Sequence, residues 1–435
     1  MNVTMRRVGI SLSLAALALL APVLLLAACA PASQTGSIQR RDLFSIGYGM
    51  SENQIDLSTQ GRDGIDLTMS KGIFHMLDGS SRKIMRLSSY GDLLALLYDP
   101  SISPVPNIVK PLAMPGIDAA EEEGRAVGRY AVPIAFTQPR EMAVGLDQTI
   151  YIADKVAQPS ARIYDTKLAS YCDRIIRRFG TMGQEKAYLG QEGPGGSPFP
   201  TVISMDVFGD DTLGIVSVTE SAFLVYHFGK EGNLLSSMRI GQDALPLPVE
   251  LSENEGESPG DSGTEGTGIN SRIHANLDSM MMTSGGEFFG IVLKLDYYKE
   301  FYDSASLAIS RNEYAGSWIF AMDGLTGRIG SSLSIAAGGQ EIPIPELIGQ
   351  NSGLYYLLYS VSDRVAENVE AGTARSGKSW MIQLMDEKGK VHNRARIEPP
   401  EGVREMITIR VSEEGQVYAL LKMDEKVQIS LWDFR

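Results

Sequence analysis

The chain has 435 residues, of which 43% are hydrophobic and 21% charged, so it contains enough apolar material to bury a large core. Its formal net charge is -14, and no stripe of lysine or arginine runs through it. A protein that binds duplex nucleic acid needs a basic surface to displace counterions from phosphates, so the charge argues against nucleic acid as a partner.

The N-terminus has the pattern of a secretion signal followed by a lipidation site. Arg6 and Arg7 precede an apolar run over 8–28, which ends in the sequence Leu26-Ala-Ala-Cys29. This ending resembles the bacterial lipobox, in which small residues admit the signal peptidase and the cysteine thiol receives a diacylglycerol. The resemblance implies that residues 1–28 are removed as a signal peptide and that 29–40 form a lipidated tether.

Acylation of Cys29 would hold the rest of the chain outside the cytoplasm, at a cell-envelope membrane. Each buried CH₂ contributes about 0.8 kcal/mol, so two or three acyl chains suffice for stable anchoring. The alternative is an uncleaved transmembrane helix, because the apolar run is near the length that spans a bilayer. With Cys29 acylated, Cys172 has no intrachain partner, and we expect a structural thiol there rather than a disulfide.

A hairpin of two apolar strands around a tight turn recurs along the rest of the chain. Four copies have glycine at the turn, whose tolerance of positive φ suits a tight hairpin: Gly91, Gly232, Gly327 and Gly389. A second set of predicted hairpins precedes these along the chain. Their turns lie at Lys71-Gly72, Asp147-Gln148, Asp210-Asp211, Gly285-Gly286, Ser352-Gly353 and Glu414-Gly415. Two hairpins make a four-stranded sheet, and about six such units predict an all-β fold, a β-propeller of six blades, with seven as the alternative.

One of these units resembles an NHL repeat. Residues 141–154, 161–165 and 174–180 have the pattern of that repeat, and 189–193 with 198–200 resemble its inter-blade linker. Together with the lipobox, this makes the chain similar to spirochaetal NHL-like propeller lipoproteins. The resemblance implies six blades but little about chemistry, since NHL propellers include substrate-reading parts of ligases, scaffolds and a few lyases. The other units lack the signature of the repeat.

The last unit stops after its third strand, at 428–434, whereas a short alternating segment, 42–47, precedes the first complete unit. An open sheet edge would expose unpaired backbone groups. We therefore predict that the N-terminal segment supplies the missing fourth strand, so that 41–435 form one closed propeller domain.

Strand parity sorts the connections between the two faces of the disc. In an up-and-down blade, the first-to-second and third-to-fourth turns lie on one face, and all other connections lie on the opposite face. The long insertions all belong to the second set: 99–138, 241–271, 299–316 and 362–378. Long loops on a rigid scaffold often bind partners, so we expect this face to be the working face. The candidate partner contacts are Tyr297, Tyr298, Phe301 and Tyr302, with packing between blades as the alternative.

Several short motifs typical of enzymes lie in the wrong context. Gly372 to Ser379 has P-loop spacing, but a predicted strand follows it instead of a helix. Residues 256–260 spell a nucleophile elbow and 260–263 a serine-protease signature, both within an acidic Gly/Ser/Glu tract that cannot preorganise an oxyanion hole. None of these motifs predicts catalysis.

The four histidines, His75, His227, His274 and His392, fall in separate units without metal-ligand spacing, and we expect no metal or cofactor. The sequence favours a membrane-anchored, extracytoplasmic lipoprotein whose propeller binds or organises an unknown protein or cell-envelope ligand. The alternative is an NHL-type lyase or hydrolase with a metal-assisted site in the central channel, assembled from distant blades.

Overall fold

The computed structural model describes residues 36–57, 64–111, 129–252, 270–285, 288–303, 308–337, 343–362 and 378–434. The predicted signal peptide, Cys29 and most of the tether lie outside the described residues. So do the enzyme-like motifs at 256–263 and 372–377 and parts of all four predicted insertions. Within the described ranges, no helix has the length and apolar character needed to cross a membrane.

The described residues form an all-β fold of six blades, as predicted. The chain begins with β1 (Gly36–Ser37) and β2 (Arg40–Gly47). Blade one contains β3 (Ile65–Ser70), β4 (Ile73–Asp78), β5 (Lys83–Leu87) and β6 (Leu93–Tyr98), with β7 (Lys110–Pro111) and β8 (Tyr130–Pro133) at its outer edge. Blade two contains β9 (Met142–Val144), β10 (Ile150–Lys155), the small separate hairpin β11 (Ile163–Asp165) and β12 (Ser170–Cys172), then β13 (Arg174–Phe179), β14 (Glu185–Gly190) and β15 (Gly193–Pro194).

The other four blades follow in chain order. Blade three contains β16 (Thr201–Val207), β17 (Leu213–Val218), β18 (Ala222–Phe228) and β19 (Leu234–Gly241). Blade four contains β20 (Asn270–Gly285), β21 (Phe288–Tyr302), β22 (Ile309–Asp323) and β23 (Ile329–Ala337). Blade five contains β24 (Glu346–Asn351), β25 (Leu354–Ser362), β26 (Lys378–Asp386) and β27 (Val391–Ile397), and blade six contains β28 (Glu405–Val411), β29 (Gln416–Lys422) and β30 (Lys426–Asp433).

The blades close into a ring around a central channel. The first strands of the six blades contact one another in the order β3, β9, β16, β20, β24, β28 and back to β3. The core is divided accordingly: an apolar cluster lies at each of the six interfaces between neighbouring blades of the described structure. Each sheet is therefore buried on both faces, which explains why its strands are rich in apolar residues at consecutive positions.

The N-terminal strand closes the ring, as predicted. β2 pairs antiparallel with β30, from Arg40 opposite Trp432 to Gly47 opposite Lys426. The Ser430 hydroxyl donates to Asp42 Oδ1 at 2.7 Å. In the neighbouring third-to-fourth turn of blade one, Gly91 has a φ of 86°, and a Cβ at this position would lie 2.8 Å from the Phe44 side chain. Glycine is required there both for the turn and for the close approach of β2.

Two connecting segments differ from their predicted form. Residues 299–316, expected as a loop, are mostly strand, because β21 continues to Tyr302 and β22 begins at Ile309. Strands usually have about six residues, so strands of 15 residues were not expected here. Leu189, expected in an inter-blade linker, is buried in β14, the fourth strand of blade two.

Candidate functional site

Among the described strands, the first three of blade four are the longest, and they project on the face that carries the predicted long insertions. Its first three strands contain 16, 15 and 15 residues, whereas the strands of blade three contain six to eight. The added length is a paired three-stranded sheet of residues 270–277, 296–302 and 309–315, which we call the blade-four extension.

Tyr297, one of the four aromatic residues predicted to contact a partner, is instead a packing residue. Its side chain is 0% exposed and meets the Trp318 ring edge to face, with the ring centroids 5.3 Å apart. Its hydroxyl donates to the carbonyl oxygen of Pro246, in the connection that follows blade three. Tyr297 thus fixes this connection against the extension, in agreement with the packing alternative.

The other three aromatic residues, Tyr298, Phe301 and Tyr302, are half-buried on the extension. Tyr298 packs edge to face against Tyr314 at 5.8 Å. The Arg311 guanidinium lies over the Phe301 ring, 4.1 Å from its centroid, in cation–π geometry. The Tyr302 hydroxyl donates to Glu300 Oε2 at 2.5 Å. The structure brings these residues onto one projecting sheet, with Arg311 against Phe301 and Glu300 against Tyr302.

A buried ionic network lies at the base of the extension. Lys294 is 0% exposed, and its Nζ lies 2.7 Å from Asp296 Oδ1 and 3.3 Å from Asp278 Oδ2. Ser317 donates to Asp296, and its Oγ is 2.7 Å from the Tyr314 hydroxyl. Burial raises the pKa of Asp278 and raises the pKa of Tyr314 to about 12. The network links β20, β21 and β22 where the extension leaves the ring.

A second candidate site, which the sequence analysis did not find, lies on the opposite face of the disc from the blade-four extension, at the mouth of the central channel. A cavity of about 550 Å³ opens where β16, β20, β24 and β28 end, among the first-to-second turns. We call it the channel-mouth cavity. Met281 to Thr283 of β20 line it, whereas the other end of the same strand, at Asn270, lies in the extension. At about 3.4 Å per residue, the two sites are roughly 40 Å apart.

Charged residues from distant parts of the chain meet in this channel. Arg410 of β28 donates to Asp66 Oδ1 of β3 at 2.8 Å, and Asp66 Oδ2 accepts the backbone N–H of Met142 of β9 at 3.0 Å. Asp66 holds the pKa of Arg410 above its usual range. Burial raises the pKa of Asp206 of β16, although nearby Arg410 opposes the shift. A sequence signal does exist, because each of the three charged residues is flanked by apolar residues within a predicted hairpin strand.

The histidines do not converge on the channel. His75 is buried, and burial lowers its pKa to about 3, so it is neutral. His227 stacks on Phe289 at 4.2 Å, and His392 Nε2 is 2.8 Å from Asp386 Oδ2 at an exposed turn. In the part of the chain that the structure describes, no three His, Cys, Asp or Glu residues are placed to hold a metal ion. Cys172 is buried, and burial raises the pKa of its thiol to about 11, as suits a structural thiol.

No family model matches the chain, and no curated protein matches it in sequence. Similar solved structures include a member of the DUF4221 family from Bacteroides vulgatus, at 10% identity and a TM-score of 0.37, covering 92% of this chain and 99% of that one. A gluconolactonase from Xanthomonas campestris matches at 11% identity and a TM-score of 0.38, covering 93% and 92%. A protein of unknown function from Dyadobacter fermentans matches at 9% and 0.38, covering 91% and 99%. At these identities and TM-scores, none of them supports a conclusion about the function of this chain.

Proposed function

We propose that this protein is a lipid-anchored, extracytoplasmic NHL-like propeller that binds a protein partner of the cell envelope through the blade-four extension. The observation that carries the proposal is the extension itself, a paired sheet of three strands projecting from a closed ring. Because a buried ionic network and Tyr297 fix its base, the extension offers a preorganised surface and loses little entropy on binding.

The chemistry of the extension suits a protein partner. Aromatic side chains and arginine are the residue types that contribute most binding energy at protein interfaces. Phe301, Tyr302 and Arg311 combine these properties on two adjacent strands, and Arg311 also forms an ion pair with Glu313 at 3.1 Å. Neither the aromatic rings nor the charged groups are fully buried, so both are accessible to a partner.

The anchor part of the proposal rests on the lipobox-like sequence at Cys29 and on the position of β1 in the fold. β1 pairs with β27 at the outer edge of blade five, so the tether leaves the propeller at its rim. Seven residue steps separate Cys29 from Gly36, which limits this distance to roughly 25 Å. The lipid would therefore hold the rim of blade five near the membrane surface and leave both faces of the disc accessible.

The test is crosslinking of the full chain in its native envelope, followed by mass spectrometry. We expect one protein to be captured by the unaltered chain and lost when Phe301→Ala is combined with Arg311→Ala. The matched control is Tyr90→Ala, which removes an aromatic side chain that is 85% exposed in a turn on the opposite face. Capture that survives the double substitution, or that disappears with Tyr90→Ala, would overturn the assignment of the binding surface.

The anchor is tested separately. We expect Cys29→Ala to move the protein from the membrane fraction to the soluble fraction without changing its melting temperature. If the Cys29→Ala protein stays in the detergent phase after membrane extraction, the lipoprotein assignment is wrong.

A further inference from the structure

The channel-mouth cavity has the size of a small-molecule site. Its volume of about 550 Å³ lies within the range of about 300 to 1,000 Å³ that is common for ligand pockets. It lies on the face opposite the long insertions, so a protein partner on the blade-four extension would leave it accessible.

The cavity wall is divided into an apolar part and a polar part. Phe208, Met282 and Ile348 provide apolar surface, whereas Asp206, Gln350 and Arg410 provide polar groups. The turn beside it is fixed, because Asn351 Nδ2 of blade five donates to the backbone carbonyls of Ser412 and Glu413 of blade six, at 3.3 and 2.6 Å. This cavity is therefore preformed rather than dependent on a mobile loop.

Two polar atoms in the wall are enclosed and have no hydrogen-bond partner among the described residues. One is a donor, Arg410 Nε, and the other is an acceptor, Gln350 Oε1. The Arg410 fork is only partly used, since a different nitrogen of the guanidinium, Nη2, donates to Asp66. Buried polar groups in folded proteins are normally paired, so the cavity suits a ligand that supplies both an acceptor and a donor.

The charges around the cavity select against charged ligands. Burial raises the pKa of Asp206 in the wall and of Glu413 at the mouth, so the folded protein favours the uncharged form of both carboxyl groups, which then offer no negative charge to a cation. The positive charge of Arg410 is already paired with Asp66, so an anion finds no unpaired positive charge there. A hydroxyl group donates and accepts at once and carries no charge, so it satisfies the Arg410 donor and the Gln350 acceptor together.

We propose that the channel-mouth cavity binds a neutral polyhydroxylated ligand of the size of a mono- or disaccharide. The hydroxyl groups of the ligand contact Asp206, Gln350 and Arg410, and its apolar C–H face packs against Phe208 and Ile348. The inference is independent of the proposed protein partner, because it concerns other residues on the opposite face of the disc.

The experiment screens the purified full-length protein, in a detergent without a sugar headgroup, by saturation-transfer NMR and calorimetry. The probes are neutral hexoses, pentoses and disaccharides, each hexose being paired with its hexosamine and its hexuronate. We expect at least one neutral probe to bind, its hexosamine to bind no more tightly, and its hexuronate to bind at least tenfold more weakly.

Two substitutions then locate the site. We expect Gln350→Leu and Asp206→Leu each to weaken binding of the neutral probe at least tenfold, while melting temperatures show that both proteins are folded. The matched control is Gln158→Leu, at an exposed glutamine beside the small hairpin of blade two, which should leave the affinity unchanged.

Three results would overturn the proposal. They are a screen in which no neutral probe binds, an unchanged affinity in both leucine variants, and tighter binding of the hexosamine or hexuronate than of the parent sugar. The last result would identify a site for cations or anions instead.

Discussion

Arg410 of blade six donates to Asp66 of blade one at 2.8 Å, and this bond crosses the seam between the last blade and the first. A second bond crosses the same seam, from the backbone N–H of Met69 to the Tyr418 hydroxyl at 3.1 Å. The apolar cluster at this interface includes Ile46 of β2 as well as residues of both blades. The seam is thus held by polar bonds at the channel and by the N-terminal strand on the outside.

This arrangement predicts that β2 is essential to stability and that β1 is not. A chain shortened to begin at Met50 lacks both strands, whereas one that begins at Arg40 retains β2. Loss of Leu43, Phe44 and Ile46 lowers the free energy of unfolding by about 1.5 to 3 kcal/mol for each apolar side chain. The unpaired backbone groups left on β30 lower it further. We expect the chain that begins at Met50 to melt on the order of 10 °C lower, and the other to melt close to the full chain.

Circular dichroism on heating measures both melting temperatures. Equal values for the two shortened chains would mean that β2 does not contribute to closure. A large loss in the chain that begins at Arg40 would instead give β1 a structural role.

The sequence predicts the ring well because the hairpins are local. Each depends on alternation of apolar residues and on a turn, such as Ser352-Gly353, where both residues have positive φ. The closure was predictable because 42–47 and the incomplete last unit complement each other. The channel-mouth cavity was not, since Asp206, Gln350 and Arg410 come from three blades, and only the closed ring brings them together.

The strands of the blade-four extension were not predictable for a different reason. Residues 299–316 carry as many polar and charged residues as a loop, because a projecting sheet is solvated on much of its surface. Tyr297 and Tyr298 are adjacent, and alternation along β21 points them to opposite sides. Trp318 and Pro246, the packing partners of Tyr297, show which of the two is buried.

Tyr297 therefore predicts a separation between stability and binding. Tyr297→Phe keeps the ring against Trp318 but removes the hydroxyl that donates to Pro246, so unfolding should become easier by about 1 kcal/mol. Capture of the partner by crosslinking should be unchanged, whereas Phe301→Ala should reduce capture with little effect on stability. Urea unfolding and crosslinking of both variants test this. Loss of capture in Tyr297→Phe would show that Tyr297 contributes to partner binding.

The ionic network below the extension predicts strong coupling between Lys294 and Asp296. Lys294→Met leaves the Asp296 and Asp278 carboxylates without their buried cation, and loss of one partner of a buried pair costs about 3 to 5 kcal/mol. Adding Asp296→Asn removes one of these charges, so the double variant should recover part of the loss.

Urea unfolding of the unaltered protein, the two single variants and the double variant measures the coupling free energy between Lys294 and Asp296. The control is Lys390→Met, at an exposed lysine in the last turn of blade five, which should change stability by less than about 0.5 kcal/mol. Additive effects of the Lys294 and Asp296 substitutions would show that the network contributes no coupling.

Glu141, which immediately precedes β9, predicts a pH dependence of stability. Burial raises its pKa from the ordinary 4.5 to about 7, with a smaller contribution from the nearby Asp66 carboxylate. A raised carboxyl pKa means that the folded state favours the protonated form. Its stabilising contribution is therefore complete below about pH 4.5 and is lost as the pH rises through about 7.

Glu141→Gln keeps a neutral side chain of the same shape at every pH. The variant should match the unaltered protein near pH 4.5 and be more stable at pH 8, by on the order of 2 kcal/mol. Denaturant unfolding at both pH values measures the difference, with the exposed Glu220→Gln as the control. A stability difference that does not grow between the two pH values would show that folding does not raise the pKa of Glu141.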